Sequence, residues 1–243
     1  MTFKRGIGVL LLTTLMPVTA IADGIDETRV RELVLETILD NPEIIMQAVA
    51  ILEQRQEEVQ ASAAAEVLSN QRNLLEQDPN APVLGNPDGD VTVVEFFDYN
   101  CPYCRRAMKP VQGLLDADSN VRLVYREWPI LGDGSVFAAK AALAARNQGK
   151  YEEFHWAMMA MNGRAEEASV LRVAKEVGLD TEQLRRDMEA PEVEEHIATS
   201  MRLTQSLGFN GTPSFVIGDE LVPGFVEQPQ LEEYVSKARA QAD

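Results

Sequence analysis

The chain contains two cysteines, Cys101 and Cys104, which stand three residues apart in the sequence Cys-Pro-Tyr-Cys. The β-branched and aromatic run Val91–Phe97 ahead of them is typical of a buried strand, and the residues after them favour a helix. Both thiols should therefore lie in the first turn of a helix. There the field of the helix N-terminus stabilises a thiolate and lowers the pKa of the first cysteine. This spacing predicts a redox-active dithiol.

A cysteine pair can also serve as a structural bridge or a metal site. A structural disulfide stabilises most when it closes a long loop, and bridging residues three apart removes little chain entropy. A closed zinc site needs four ligands, and only His155 and His196 could join the thiols, at no recognisable ligand spacing. We expect both histidines to be ordinary helix residues, with no metal ligand and no cofactor. Copper(I) binding by the two soft thiols stays open as an alternative.

The first 22 residues have the pattern of a secretory signal peptide. Lys4 and Arg5 give a positive start, residues 7–16 are apolar but too few to span a bilayer, and residues 20–22 form a small-residue cleavage motif. We expect the mature protein to begin at Asp23 and to be exported, with a periplasm as its compartment. The formal net charge of −17 argues against nucleic acid or an anionic membrane as a partner.

Residues 23–78 are predicted to form a helical extension. Apolar residues between Val30 and Ile38 indicate a short helix, and Asn41-Pro42 indicates a cap and a first-turn proline that start a longer helix. An apolar seam follows at alternating spacings of four and three, as in a short coiled coil: Ile45, Val49, Leu52, Gln56, Val59 and Ala63. A lone helix has no core to cover such a seam. Residues 23–77 therefore either pack back on the rest of the chain or, as we favour, form a homo-oligomer.

Residues 78–90 contain two prolines within five residues and then a Pro-Asp-Gly turn, which indicates a linker before a second domain, residues 79–243. The elements predicted in this domain are strand Val91–Phe97, helix Cys101–Ala117 kinked at Pro110, alternating strand Val121–Glu127, helices over about 135–207, a hairpin of Pro213–Ile217 and Glu220–Val222, and a helix over about 228–239. This order of strands and helices predicts an α/β fold.

Two motifs and the helical stretch between them resemble the DsbA family of periplasmic thiol–disulfide oxidoreductases. The motifs are residues 95–104 (EFFDYNCPYC) and residues 211–215 (GTPSF). The resemblance covers the chain from about residue 80 to its end and implies a thioredoxin fold with an inserted helical domain. Residues 39–43 (LDNPE) and the alanine- and glutamate-rich helix after them are similar to the ScsC-like (suppressor of copper sensitivity) branch. That branch includes trimeric isomerases and monomeric members.

Roles for the dithiol and its neighbouring loop follow from the resemblance and from the chemistry of thiols. Cys101 should be exposed and attack a disulfide as a thiolate, and Cys104, one helical turn further in, should be buried and resolve the mixed disulfide. The resemblance places Thr212 and a cis Pro213 opposite the cysteines. The backbone of Thr212 would then pair with an extended substrate chain.

Other residues around the motif are given supporting roles. Pro102 and Tyr103 lie between the cysteines, where they would set the stabilisation of the thiolate and meet the substrate. Glu95 stands where the family carries a buried acid, which would relay the proton of Cys104. Asp98 is a weaker rival for that role, and Arg105 and Arg106 are candidates for electrostatic assistance.

Three functions are compatible with these residues. The first is a monomeric oxidase that is reoxidised by a membrane partner. The second is a disulfide isomerase or reductase that is oligomerised, for example as a trimer, through residues 23–77. The third is a copper(I)-binding protein that uses the cysteine pair. The N-terminal seam favours the second function, as does Thr212, because DsbC-type isomerases carry threonine before the cis-proline where the typical oxidase has valine. The redox direction depends on kcal-scale thiolate stabilisation, which a sequence does not measure.

Overall fold

The computed structural model describes residues 26–242 of the chain, so the predicted signal peptide lies outside the described residues. Its contacts divide the chain into two compact units, with the division after Glu53. Within residues 26–242, no helix is both long and apolar enough to cross a membrane.

The described part of the first unit contains helix α1 (Glu27–Asp40) and the beginning of helix α2 (Glu43–Asn70). Asp26 caps α1 by accepting a hydrogen bond from the Thr28 backbone N–H at 3.0 Å. Pro42 lies in the turn just before α2, so this helix begins one residue later than predicted. The two helices enclose an open apolar groove of about 400 Å³, lined by Val30, Leu33, Val34, Thr37, Ile38 and Ile44.

The second unit is built on a five-stranded sheet. Its strands are β1 (Val83–Gly85), β2 (Val91–Phe97), β3 (Val121–Glu127), β4 (Ser214–Ile217) and β5 (Glu220–Pro223). The strand order is β1-β3-β2-β4-β5, and the central pair β2 and β3 is parallel while the other pairs are antiparallel. The predicted bounds of β2 and β3 are confirmed, and the hairpin turns at residues 218 and 219 as predicted. Strand β1 was not predicted.

Helices cover the sheet and form the insertion. They are α3 (Arg72–Glu76), α4 (Pro102–Ala117), α5 (Asp133–Ala145), α6 (Tyr151–Ala160), α7 (Glu167–Glu176), α8 (Thr181–Asp187), α9 (Pro191–Leu207) and α10 (Gln228–Ala242). Helices α5 to α9 stand between β3 and β4 and match the predicted helical stretch. Helix α4 continues through Pro110 to Ala117. All seven residues of β3 are buried, so the alternation predicted for this strand is wrong.

One face of the sheet is covered in part by the end of α2 and by α3. Val67 and Leu75 are fully buried and pack in one cluster with Val94 and Phe96 of β2. Burying such side chains stabilises the fold by roughly 1.5–3 kcal/mol each. Residues 54–78 therefore belong with the sheet, and the predicted boundary between residues 78 and 79 does not coincide with the division after Glu53.

A buried ion pair holds the same segment on β3. The Arg126 side chain is fully buried and donates to Asp78 Oδ2 at 2.6 Å. It also donates to the carbonyl oxygens of Leu74 and Leu75. The guanidinium thus satisfies the last carbonyl groups of α3, which have no partner within their helix.

Candidate active site

The cysteine pair lies where the central strand β2 passes into helix α4. Cys101 is the N-cap residue of α4, with extended backbone (φ −78°, ψ 119°), and Pro102 occupies the first helical position. A proline there costs little, because that N–H has no partner within a helix. Both cysteines are free thiols. Cys104 is 1% exposed, as predicted, but Cys101 is only 5% exposed, so its predicted exposure is wrong.

The loop before β4 explains why Cys101 is buried. In its protonated form the Cys101 thiol donates a hydrogen bond to the Thr212 carbonyl oxygen, with 3.1 Å between Sγ and O. The peptide bond between Thr212 and Pro213 is cis, as the resemblance implied. Residues 212 and 213 are therefore beside the dithiol although more than a hundred residues separate them from it in the sequence.

The pKa values of the two thiols are shifted in opposite directions. The pKa of Cys101 is lowered to about 6, chiefly by a hydrogen bond from the Cys104 thiol. A hydrogen bond from the Thr212 side chain and the backbone N–H groups of Tyr103 and Cys104 lower it further, while burial of Cys101 opposes the shift. Burial raises the pKa of Cys104 well above its ordinary value, and the interaction with Cys101 raises it further. At neutral pH the pair therefore consists of a thiolate at Cys101 and a thiol at Cys104.

Glu95 is a buried acid beneath this pair. It lies in the middle of β2, opposite Tyr125 of β3 and Phe215 of β4, and is 2% exposed. Burial first, and then the negative charge of Cys101, raises the pKa of Glu95 to about 8. Its own charge contributes to the raised pKa of Cys104. A carboxyl with this pKa can hold or release a proton near neutral pH.

The other side chains singled out in and directly after the motif differ in exposure and in their contacts. Pro102 is exposed, and the Tyr103 side chain is 58% exposed. Arg105 donates to backbone carbonyl groups of the loops around it. Arg106 forms an exposed ion pair with Glu227 at 2.9 Å. Arg105 thus has a structural use that its sequence position did not indicate.

Asp98 and Asn100 carry a hydrogen-bond network that sequence reasoning did not identify. Asp98 is 1% exposed, and its carboxylate accepts bonds from the backbone N–H groups of Asn100, Ile130 and Leu131 and from the Ser135 hydroxyl. The bond to the residue two positions ahead is an Asx turn, so an aspartate directly after a buried strand is the signal that could have revealed it.

A second buried acid, Glu127, lies at the end of β3 within a cluster of aromatic side chains. Its carboxylate accepts hydrogen bonds from the Tyr151 and Tyr99 hydroxyls at 3.1 and 3.4 Å. His155 lies against the same group, with Nδ1 3.0 Å from the Tyr99 hydroxyl oxygen, and burial lowers the pKa of His155 to about 3. Both histidines are on helices as predicted, and His196 is also buried. Within residues 26–242, no three His, Cys, Asp or Glu side chains meet as a metal site would require.

Comparison with known proteins agrees with this architecture. The family model described as DSBA-like thioredoxin domain matches residues 92–236, and the one described as Copper resistance protein ScsC N-terminal domain matches residues 26–58. A thioredoxin-like oxidoreductase from Silicibacter pomeroyi DSS-3 is 76% identical, with a TM-score of 0.69, and the match covers 70% of this chain and 98% of that one. Proteus mirabilis ScsC in a transitional conformation is 27% identical, with a TM-score of 0.67, covering 91% and 99%.

The match to curated relatives covers only part of the chain. The Na(+)/H(+) antiporter NhaA 1 of Salinispora arenicola is 33% identical over 137 residues, which cover 56% of this chain and 21% of that protein. The chain thus spans about a fifth of the length of this antiporter. Disulfide bond formation protein D of Bacillus subtilis is 24% identical over 168 residues, covering 64% and 76%. Since the DSBA-like model matches more than half of the chain, the chain belongs to the family of DSBA-like thioredoxin-domain proteins, with a ScsC N-terminal domain ahead of that domain.

Proposed function

We propose that this protein catalyses thiol–disulfide exchange on exported proteins, with Cys101 as the nucleophile and Cys104 as the resolving thiol. The observation that carries the proposal is the opposite shift of two neighbouring thiols. The pKa of Cys101 is lowered to about 6, while the pKa of Cys104 is raised by burial. A structural disulfide or a pair of equivalent metal ligands has no need of such a difference, whereas exchange needs one attacking thiolate and one protected thiol.

The chemistry balances without a cofactor. The Cys101 thiolate attacks one sulfur of a client disulfide, so that a Cys101–client bond forms and the other client sulfur leaves as a thiolate. If a different client thiolate then attacks the client sulfur of this mixed disulfide, a new client disulfide forms, Cys101 leaves as a thiolate, and the client is isomerised with no net redox change. If Cys104 attacks Cys101 instead, the client is reduced and the Cys101–Cys104 disulfide forms. The reverse of the last route oxidises a client dithiol.

Glu95 is proposed as the group that exchanges a proton with Cys104. Cys104 must lose its proton before it can attack Cys101, and it is 1% exposed, so water has little access to it. Glu95 is buried beside the pair, and burial raises its pKa to about 8. A carboxyl group so poised accepts the proton in one direction of exchange and returns it in the other.

Client binding is proposed for the residues that border the dithiol. The Thr212 carbonyl is next to the Cys101 sulfur, so a client chain that pairs with the Thr212 backbone as an added strand would bring its sulfur to Cys101. Pro213 fixes the course of this loop. Pro102 and Tyr103 present exposed surface beside it, and we assign them to the same contact with the client.

We further propose that the protein acts as an oligomeric isomerase or reductase, assembled through its N-terminal helices in a periplasm and kept in its working redox state by a membrane partner. The ScsC N-terminal match over residues 26–58 supports this assignment. So do the exposed apolar side chains of these helices, such as Leu39, which is 77% exposed, and Leu52, which is 63% exposed. Burying them between copies, for example three, would remove apolar area from water.

The direction of exchange is tested with two clients. A protein with scrambled disulfides reports isomerisation through recovery of its native activity, and a reduced dithiol peptide reports oxidation. We expect recovery of the scrambled client to exceed that with Cys101→Ser, and oxidation of the peptide to be slow. Rapid peptide oxidation without any recovery of the scrambled client would make the protein an oxidase. Failure of both assays would refute exchange altogether.

The oligomer is tested by the mass of two chains in solution. Residues 23–243 should give a multiple of the monomer mass, and residues 54–243 should give a monomer. The shorter chain begins at the division in contacts, because starting it near Ala81 would remove Val67 and Leu75 from the core and Asp78 from Arg126. Leu33→Asp in the apolar groove should dissociate the longer chain, whereas Glu32→Gln beside it should not. Equal monomer masses would refute the proposal.

A copper(I) site on the two thiols is the second candidate function. It is favoured by the match to the domain described as Copper resistance protein ScsC N-terminal domain, although that match covers residues 26–58 rather than the cysteines. Copper(I) affinity measured by competition should fall in Cys101→Ser and in Cys104→Ser if the thiols bind the metal. Affinity that is unchanged in both variants would remove this function.

A further inference from the structure

The active-site turn of this protein is attached to the helical insertion by buried hydrogen bonds. The carboxylate of Asp98, three residues before Cys101, accepts hydrogen bonds from the backbone N–H groups of Ile130 and Leu131 at 2.8 and 2.9 Å. It also accepts a hydrogen bond from the hydroxyl of Ser135, in the first turn of α5, at 2.7 Å. One buried carboxylate thus joins the residues before Cys101 to the start of the insertion.

Asn100, the residue directly before Cys101, joins the same turn to a second loop of the insertion. Its Oδ1 accepts from the Ala165 backbone N–H at 2.7 Å, and its Nδ2 donates to the Ala165 carbonyl at 3.1 Å. Nδ2 also lies 3.1 Å from Ser135 Oγ. Because the Asn100 amide bonds both backbone groups of Ala165, it fixes the loop between α6 and α7 in one position.

Two further contacts tighten this junction. Arg105, on the first turns of α4, donates to the carbonyls of Tyr99, Met161 and Gly163 at 2.9, 3.0 and 2.6 Å. Gly134 of α5 lies so close to the loop that a Cβ atom there would collide with the Ala165 carbonyl oxygen. Arg105 thus bonds the active-site turn to the loop after α6, and within the insertion that loop and α5 leave no space for a Cβ atom at residue 134.

We propose that Asp98 and Asn100 are positioning residues through which the helical insertion holds the backbone around Cys101 in place. The proposal rests on the exchange function, since it gives the insertion a part in setting the reactivity of the nucleophile. The groups that stabilise the Cys101 thiolate include the N–H groups of Tyr103 and Cys104, which lie in the first turn of α4, directly after this turn. Loosening the turn weakens these contacts, and fixed donors stabilise a charge better than mobile ones.

The expected consequence has a definite sign. Losing thiolate stabilisation raises the Cys101 pKa and makes the reduced form less stable relative to the disulfide, so the reduction potential falls. A purely electrostatic role for Asp98 gives the opposite sign, because removing a negative charge beside a thiolate lowers its pKa. Asp98→Asn therefore separates positioning from charge.

The experiment measures the Cys101 pKa by ultraviolet thiolate absorbance and the potential by equilibration with glutathione, on the full chain. The variants are Asn100→Ala, Asp98→Asn and Gly134→Ala. The control is Val193→Ala, which removes methyl groups from a buried cluster of the insertion away from the junction. We expect each junction variant to raise the Cys101 pKa by about half a pH unit or more, which makes the thiolate-to-thiol ratio at least about threefold smaller at any given pH. The control should lower only the melting temperature.

Two results would overturn the proposal. One is a Cys101 pKa that stays at the parent value in Asn100→Ala and Gly134→Ala while the melting temperature falls as in the control. The other is a lower Cys101 pKa in Asp98→Asn. If Gly134→Ala does not fold, Ser135→Ala takes its place, because it removes the hydroxyl that both Asp98 and Asn100 contact. Failure of the exchange function would instead appear as an inactive parent protein, whatever these pKa values are.

Discussion

Replacement of Glu95 by glutamine tests the buried acid in two independent ways. Glu95 is 2% exposed in the central strand, and burial together with the Cys101 charge raises its pKa to about 8. An unfolded glutamate has the ordinary value of 4.5. At pH 7 the carboxyl is therefore ionised in the unfolded chain and mainly protonated in the folded one, so folding must take up a proton.

The size of the effect follows from this proton uptake. Each pH unit above the unfolded pKa lowers the free energy of unfolding by about 1.4 kcal/mol while the folded carboxyl stays protonated. This amounts to ~3 kcal/mol at pH 7. The contribution of Glu95 to stability falls as the pH rises from 4.5 towards 8, because in that range the folded Glu95 carboxyl binds more protons than the unfolded one. Glutamine is neutral and close in shape, so Glu95→Gln should stabilise the reduced protein by about 3 kcal/mol at pH 7 and by roughly nothing at pH 4.5.

Urea unfolding of the reduced parent and variant at both pH values measures this difference. Glu153→Gln, at an exposed position on α6, is the matched control and should change stability by less than about 0.5 kcal/mol at either pH. The same Glu95→Gln variant should slow exchange by on the order of 10²-fold, the usual contribution of a positioned acid or base. A variant that is less stable at pH 7, or one that exchanges at the parent rate, would refute the corresponding part of the reasoning.

Three further predictions concern the thiolate, the ion pair and the client surface. The alkylation rate of Cys101 in the reduced protein should be half-maximal near pH 6, and the contribution of its thiolate to stability, taken as the difference between the parent and Cys101→Ser, should grow between about pH 6 and 9; a midpoint near pH 9 would contradict this. Arg126→Ala leaves Asp78 buried without its partner and should cost about 3–5 kcal/mol in urea unfolding, so a loss below about 1 kcal/mol would be a contrary result. Tyr103→Ala, at a side chain that is 58% exposed, should leave stability within about 0.5 kcal/mol but slow exchange with a protein client; unchanged client kinetics would exclude Tyr103 from the contact.

Local sequence patterns predicted the elements that local forces determine. The β-branched and aromatic runs gave β2 and β3 their correct bounds, and the helices of the insertion follow their apolar spacing. Strand β1 has only three residues, Val83–Gly85, which is too short to show a period of two. It forms because β3 offers a free edge, where the Tyr125 N–H donates to the Pro82 carbonyl at 3.0 Å.

The reactive residues of the site could be predicted from the sequence, but the burial of Cys101 and the hydrogen bonds around it could not. The Cys-Pro-Tyr-Cys spacing and the Thr212-Pro213 motif identified the residues that meet, yet the burial of Cys101 depends on a loop 111 positions away. Asp98 was visible as an acid near the motif. Its bonds to Ile130, Leu131 and Ser135 arise from chain packing over more than thirty positions, which a sequence pattern does not report.

The alternating burial predicted for β3 is wrong for a similar reason. An alternating pattern predicts one wet face, but helices cover both faces of the central pair of strands, and Arg126 and Glu127 become buried with the rest. Each of these side chains is accommodated by partners from distant elements: Arg126 by Asp78, and Glu127 by the hydroxyls of Tyr99 and Tyr151. Such pairings are determined by tertiary structure rather than by local sequence.

The most direct test of the central claim is to trap the mixed disulfide. Cys104→Ser removes the proposed resolving thiol and leaves the nucleophile, so incubation with a disulfide-containing client should accumulate a covalent adduct on Cys101, measured by intact mass. Cys101→Ser keeps only the buried thiol of high pKa and should form no adduct at pH 7. An adduct on both variants at equal rates, or on neither, would contradict the assignment of a nucleophilic Cys101 and a protected Cys104.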